Sequence, residues 1–245
     1  MKYFYELYES LPRQGPGDNN STNRAFKLLS EIPSEPSILD IGCGRGMQTI
    51  KLAKNSNGKI IAIDIHQPFL DMLYEDAKNE GVSKRIICKN KSMLELDFKK
   101  ESFDVIWSEG ALYFFGFNKG LNSIYPLLKK GGYLVFTEAV LFIDNLPDEV
   151  WDLWKDEYPE VGNIEKNLKL IKECNFNLID HFTLPKTSWF THFYSPMKKE
   201  IKRLIEKYLD NQEALDTLNL CNHEIIIYDK YSNYFGYEFF IIQKK

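Results

Sequence analysis

Residues 38–46 read Ile-Leu-Asp-Ile-Gly-Cys-Gly-Arg-Gly, and an amphipathic stretch follows directly over 46–55. An apolar run that enters three alternating glycines and then a helical pattern is a strand, a tight turn and a helix, the opening unit of a parallel α/β sheet. Glycines at such a strand end let the backbone turn sharply and come close to a ligand. The first free N–H groups of the following helix can then meet an anionic group.

The same rhythm continues downstream. KIIAID at 59–64 leads to a helical pattern over 67–80, and RIICKN at 85–90, FDVIWSEG at 103–110 and GYLVFTEA at 132–139 read as further strands. Their dense apolar character predicts a sheet buried on both faces. A helix over 120–128 feeds a Lys-Lys-Gly-Gly turn at 129–132, and 176–185 with 236–243 are expected to close the sheet as an antiparallel edge pair. Further helices are expected over 146–158, 163–174, 196–208 and 213–231. Before the first strand, Arg13-Gln14-Gly15-Pro16-Gly17 reads as a loop, followed by a helix capped by Asn20 or Ser21.

A chain of 245 residues, 44% hydrophobic, is long enough for one substantial core. The expectation is one domain over 1–245, with residues 1–30 as an N-terminal cover of the active site and 185–235 as an inserted cover on the acceptor side. Thirty-one basic against 35 acidic residues leave no broad basic surface, so a nucleic-acid partner is not expected. Residues 1–10 hold no long apolar run, which predicts neither a secretory leader nor a membrane span and favours a cytoplasmic protein. Cys43, Cys88, Cys174 and Cys221 are scattered, and His66, His181, His192 and His223 lack metal-ligand spacing, so reduced cysteines and no bound metal are expected. Nothing in the sequence fixes the oligomeric state, which leaves a homodimer open.

Asp64 ends the second predicted strand, where a carboxylate can accept hydrogen bonds from both hydroxyls of a ribose. His66 follows as a residue of the ribose rim. These features predict a nucleoside cofactor without choosing between a nicotinamide and an adenosyl group. A nicotinamide-dependent oxidoreductase, a noncatalytic nucleoside-binding module and an adenosyl-dependent enzyme therefore all fit the glycine loop and Asp64 alone.

Taken together, the motifs resemble those of class I S-adenosylmethionine-dependent methyltransferases, in particular the small-molecule group labelled ubiquinone or menaquinone methyltransferase-like, over almost the whole chain. The resemblance implies a Rossmann-like, mostly parallel seven-stranded sheet with an antiparallel terminal strand, helices on both faces and an inserted helical cover. It places the acid of the glycine-rich motif at Asp40, the loop glycines at Gly42, Gly44 and Gly46, and the ribose acid at Asp64. It puts the adenine edge at Ser92 and Met93, where many members carry an acid and this chain does not. The Arg13 segment looks like part of the site's cover. Residues 107–113 look like the fourth motif, with Ser108 toward the methionyl part of the cofactor and Tyr113 toward the acceptor.

The implied reaction is transfer of a methyl group from S-adenosylmethionine to a small-molecule N, O or C nucleophile, leaving S-adenosylhomocysteine. Glu109 is the first candidate to orient or deprotonate the acceptor and His192 the second, although no sequential partner fixes that imidazole. Glu138, at the end of the fifth predicted strand, is a second acid that can bind a cationic acceptor. Trp189 and His192 belong to an aromatic interval suited to enclosing it.

Overall fold

The computed structural model describes residues 1–155 and 158–245. In chain order the elements are α1 (Lys2–Glu9), α2 (Asn19–Lys27), β1 (Ser37–Ile41), α3 (Met47–Asn55), β2 (Lys59–Asp64), α4 (Gln67–Asn79), β3 (Ile86–Asn90), β4 (Phe103–Ser108) and α5 (Phe117–Ile124). There follow β5 (Leu128–Leu141), α6 (Asp148–Trp154), β6 (Gly162–Asn163), α7 (Ile164–Glu173), β7 (Phe176–Thr183), α8 (Lys186–Trp189), α9 (Ser195–Lys207), α10 (Gln212–Tyr231) and β8 (Phe235–Lys244). A single π-helical turn, Phe190–Tyr194, joins α8 to α9.

The strands form one sheet in the order β3-β2-β1-β4-β5-β8-β7, with the two-residue β6 beside β5. β1 to β5 run parallel, and β8 inserts antiparallel between β5 and β7. This is the expected mostly parallel sheet with an antiparallel terminal strand. Strand order reverses direction at β1 and β4, so the loops leaving these two neighbours diverge and open a crevice at their carboxyl ends. β4 is buried at every position, as a central strand covered on both faces must be.

Side-chain alternation divides the core. Trp107, Val135, Phe239 and Ile241 lie on the face covered by α1 to α4 and the inserted helices. Ile41, Ile106, Phe136 and Phe240 lie on the face covered by α5 and α7. The period of two puts Asp40 with the first set and Glu138 with the second.

Several expected boundaries moved. Residues 2–9 form a helix in which Tyr3 and Leu7, four apart, are buried. The cap of α2 is Asp18, whose carboxylate accepts from the backbone N–H groups of Asn20 and Ser21, two residues earlier than expected. The Lys129–Gly132 segment continues β5 across a register shift rather than forming a separate turn. The expected 146–158 helix is seen as 148–154, and its positions 156 and 157 lie outside the described residues. Among the described residues, no helix is long and apolar enough to cross a membrane.

Candidate active site

The turn from β1 into α3 is built as a close approach. Gly42 has φ 67° and Gly46 φ 78°, a region that L side chains avoid. A β-carbon on Gly42 would overlap that of Ala111 in the loop after β4, and one on Gly46 would overlap the Leu73 side chain of α4. The first glycine thus lets the loops after β1 and β4 meet, and the last lets α3 seat against α4.

Asp64, at the end of β2, has both carboxylate oxygens oriented by backbone donors. Gly44 N donates to Oδ2 at 2.9 Å and His66 N to Oδ1 at 2.9 Å. Each oxygen keeps a lone pair for a further donor. Met93 comes within reach of Gly42, since its methyl would stand 3.4 Å from a β-carbon there. The Ser92 hydroxyl accepts from Leu94 N at 3.1 Å. Ser108 is buried and donates to the Ile41 carbonyl at 3.1 Å, tying β4 to β1.

A second cluster joins the N-terminal segment to the glycine loop. Arg13 Nη2 donates to Glu109 Oε2 at 2.7 Å, with both side chains buried. Glu109 Oε1 accepts from Thr22 at 2.8 Å and from Trp107 Nε1 at 2.7 Å. Arg13 also donates to the Gly15 carbonyl and, at 3.4 Å, to Gln48 Oε1. The Gln48 amide donates in turn to Asp40 Oδ2 and to the Cys43 carbonyl.

Asp40 accepts a 2.5 Å hydrogen bond from Thr49 on Oδ2, while its Oδ1 is buried without a partner. Burial pushes its carboxyl up to about 7, opposed by the Thr49 hydrogen bond and reinforced by the charge of Glu109. The network therefore runs from the N-terminal segment through Arg13 and Gln48 to the acid of the glycine motif. Thr22, Gln48 and Thr49, which sequence reasoning missed, complete it.

Glu138 lies apart from this cluster. It is 1% exposed, and neither carboxylate oxygen makes a hydrogen bond of ordinary geometry. Burial pushes the carboxyl up to about 8, and the Tyr158 hydroxyl acts against that rise. Tyr158 packs against Tyr113 at 5.8 Å between ring centroids. Thr137, the preceding residue, accepts from Gly110 N at 2.7 Å and so pins the loop after β4 to β5. Glu109, bonded to Trp107, and Glu138 thus belong to opposite faces of the sheet.

Trp189 is buried, stacked on Tyr228 at 4.0 Å and edge-on to Tyr237 at 4.8 Å. His192 occupies the π-helical turn and lines a cleft of about 340 Å³ between α2 and residues 182–192, together with Asp18, Arg24 and Phe182. The structure brings Arg13, Asp40 and Glu109 into one network and Gly44, Asp64 and His66 into another. His192 stands in a different cleft from either.

Residues 32–209 match the family described as "Methyltransferase domain", and the chain belongs to that family. Its glycine loop and sheet order are those of the class I, S-adenosylmethionine-dependent fold, which takes the place of the nicotinamide-dependent alternative. Among curated relatives, the chain is 32% identical over 134 residues to a ubiquinone/menaquinone biosynthesis C-methyltransferase of Wigglesworthia glossinidia brevipalpis, covering 53% of this chain and 54% of that protein. It is 24% identical over 211 residues to a sarcosine/dimethylglycine N-methyltransferase of Aphanothece halophytica, covering 84% and 75%. The chain thus spans only about half the length of the first of these. A methyltransferase from Geobacter sulfurreducens, solved with S-adenosyl-L-homocysteine, superposes with a TM-score of 0.86 at 16% identity, covering 100% of this chain and 98% of that one. At that identity the likeness is one of fold.

Proposed function

We propose that this protein transfers a methyl group from S-adenosylmethionine to a small-molecule acceptor. The observation that carries the reading is Asp64, held at the end of β2 by Gly44 and His66 with one lone pair on each oxygen left for adjacent ribose hydroxyls. The family match and the close seating of Gly42 against the loop after β4 support it.

The cofactor, when bound, supplies a methyl group already activated on a sulfonium. The chain's own residues bind, orient and exclude water. Gly42, Gly44 and Gly46 give the backbone room, Asp64 and His66 form the ribose rim, and Ser92 and Met93 form the adenine edge. Asp40 and Ser108 hold the floor of the crevice through Thr49, Gln48 and the Ile41 carbonyl. We assign Arg13 and Glu109 to holding the cover over the site, because Glu109 already accepts from Arg13, Thr22 and Trp107, roughly three of a carboxylate's four acceptor positions.

On the acceptor side we assign Glu138, Tyr113 and Trp189, with His192 at the outer end in the cleft beside α2. A buried acid with tyrosines beside it suits an amine acceptor, whose proton the ionised form of Glu138 can take as the nitrogen lone pair attacks. We further read the chain as one domain with residues 1–30 and 185–235 as covers. We place it in the cytoplasm.

Titration calorimetry with S-adenosylhomocysteine tests the core of this reading. Wild type should bind and Asp64→Ala should bind at least about tenfold more weakly, as loss of charge-assisted hydrogen bonds implies. A folded wild type that does not bind would sink it.

A further inference from the structure

The N-terminal helix grips both loops that present the cofactor site. The His66 ring is stacked on Tyr5 of α1, with centroids 3.8 Å apart and planes at 3°. Its Nε2 is hydrogen-bonded to Glu9 Oε1 at 2.7 Å. The ring also makes an edge-to-face contact with Phe69, centroids 4.5 Å apart. Ile65, the residue before it, has an exposed side chain, and its carbonyl accepts from Asn90 Nδ2 at 3.1 Å; the α1 contacts and Phe69 are what hold the His66 ring. The backbone N–H of the same His66 is the donor that orients Asp64 Oδ1.

The loop after β1 is gripped in a matching way. Gln14 Oε1 accepts from Arg45 N at 2.7 Å, next to Gly44, the donor to Asp64 Oδ2. The Gln14 amide nitrogen donates to the Tyr8 and Leu11 carbonyls at 3.1 and 3.2 Å, at the end of α1. Both N–H groups that aim the Asp64 carboxylate therefore sit on loops tied to residues 5–14.

We propose that Glu9 and Tyr5 are positioning residues of the cofactor site: by clamping the His66 ring they fix the backbone N–H that holds Asp64 ready for the ribose. Neither needs to touch the cofactor. Their effect is preorganisation, since a carboxylate free to rotate must be reordered on binding and that cost appears as lost affinity. The inference rests on the reading of Asp64 as the ribose ligand.

The test is the affinity of the full-length protein for S-adenosylhomocysteine, measured by calorimetry for wild type, Glu9→Ala, Glu9→Gln, Asp64→Asn and the Glu9→Ala/Asp64→Asn pair. Glu9→Ala should weaken binding about five- to tenfold, and Glu9→Gln, whose amide oxygen can still accept from His66, should stay within about twofold of wild type. In the Asp64→Asn background, Glu9→Ala should cost less than about twofold, because the carboxylate it positions is gone. The unfolding midpoint of the ligand-free protein, followed in parallel, should move little in Glu9→Ala.

Glu9→Ala binding within about twofold of wild type, or costing the same factor in both backgrounds, would overturn the clamp while leaving the cofactor reading intact. Equal binding by wild type and Asp64→Asn, or binding by neither, would overturn the role of Asp64 and the clamp with it.

Discussion

Arg13 and Glu109, 96 residues apart in sequence, form a buried ion pair at 2.7 Å that fastens the N-terminal segment to the end of β4. Two charges taken out of water gain little net stability as a pair, but either one left alone is costly. Arg13→Met should therefore destabilise the protein by about 3–5 kcal/mol, and Arg13→Met/Glu109→Gln, which removes both charges but keeps an acceptor for Thr22 and Trp107, should recover much of that loss. Urea unfolding of the three proteins checks this. In Glu109→Gln, turnover and unfolding midpoint should fall together; a large loss of turnover with an unmoved midpoint would instead give Glu109 a direct part in proton transfer.

That pair also shows where sequence reading stops. The β1–α3–β2 unit, its three glycines and Asp64 were legible because strand period, turn chemistry and helix start are local patterns. The partners of Glu109 were not, since Arg13 and Thr22 are 96 and 87 residues away and only tertiary packing brings them in. Helix α1 hid for another reason. Its aromatic and polar residues alternate enough to mask the four-residue spacing of Tyr3, Leu7 and Leu11, all buried in the structure. Asp18 was missed as a cap because Asn20 and Ser21, two and three residues on, are equally good capping types.

Stability should fall as pH rises from about 4 to 8. Asp40 and Glu138 titrate at about 7 and about 8 in the folded protein, against ordinary values of 3.8 and 4.5. Between those limits the native state holds protons that the unfolded chain has released. Raising pH therefore favours unfolding, by at most about 1.4 kcal/mol per pH unit for each group. The stabilisation is complete below pH 4 for these two groups and lost as pH climbs through the folded values. Glu138→Gln should flatten the upper part of the curve and be relatively more stable than wild type at pH 8 than at pH 5, as measured by urea unfolding at the two pH values.

Gly46 should resist substitution for two separable reasons. Its φ of 78° disfavours any side chain, and a β-carbon there would overlap Leu73. Gly46→Ala should cost about 2–4 kcal/mol, summing backbone strain and overpacking. Combining it with Leu73→Ala should cost less than the two single changes added together, because the steric part is shared. Thermal or urea unfolding of the four-protein cycle reads the difference, and strict additivity would mean that backbone strain alone excludes a side chain.

Asp18 joins the N-terminal segment to α8. Its carboxylate caps α2 through Asn20 and Ser21 and also accepts from the Ser188 hydroxyl of α8, while Gly17 N donates to the Ser188 carbonyl at 3.1 Å. Burial raises the Asp18 carboxyl, but the hydrogen bonds from Ser188 and Ser21 outweigh it and hold the group below its ordinary value. Asp18→Ala removes the cap and the bridge together and should cost about 1–2 kcal/mol. Hydrogen exchange should then quicken both in the first turn of α2 and across residues 186–194. Asp18→Asn keeps an oxygen that can cap the helix, so α2 should remain protected in that variant while the 186–194 segment, deprived of the charged acceptor for Ser188, exchanges faster than in wild type. Faster exchange in α2 alone would show that the bridge to Ser188 contributes nothing to holding the cover in place.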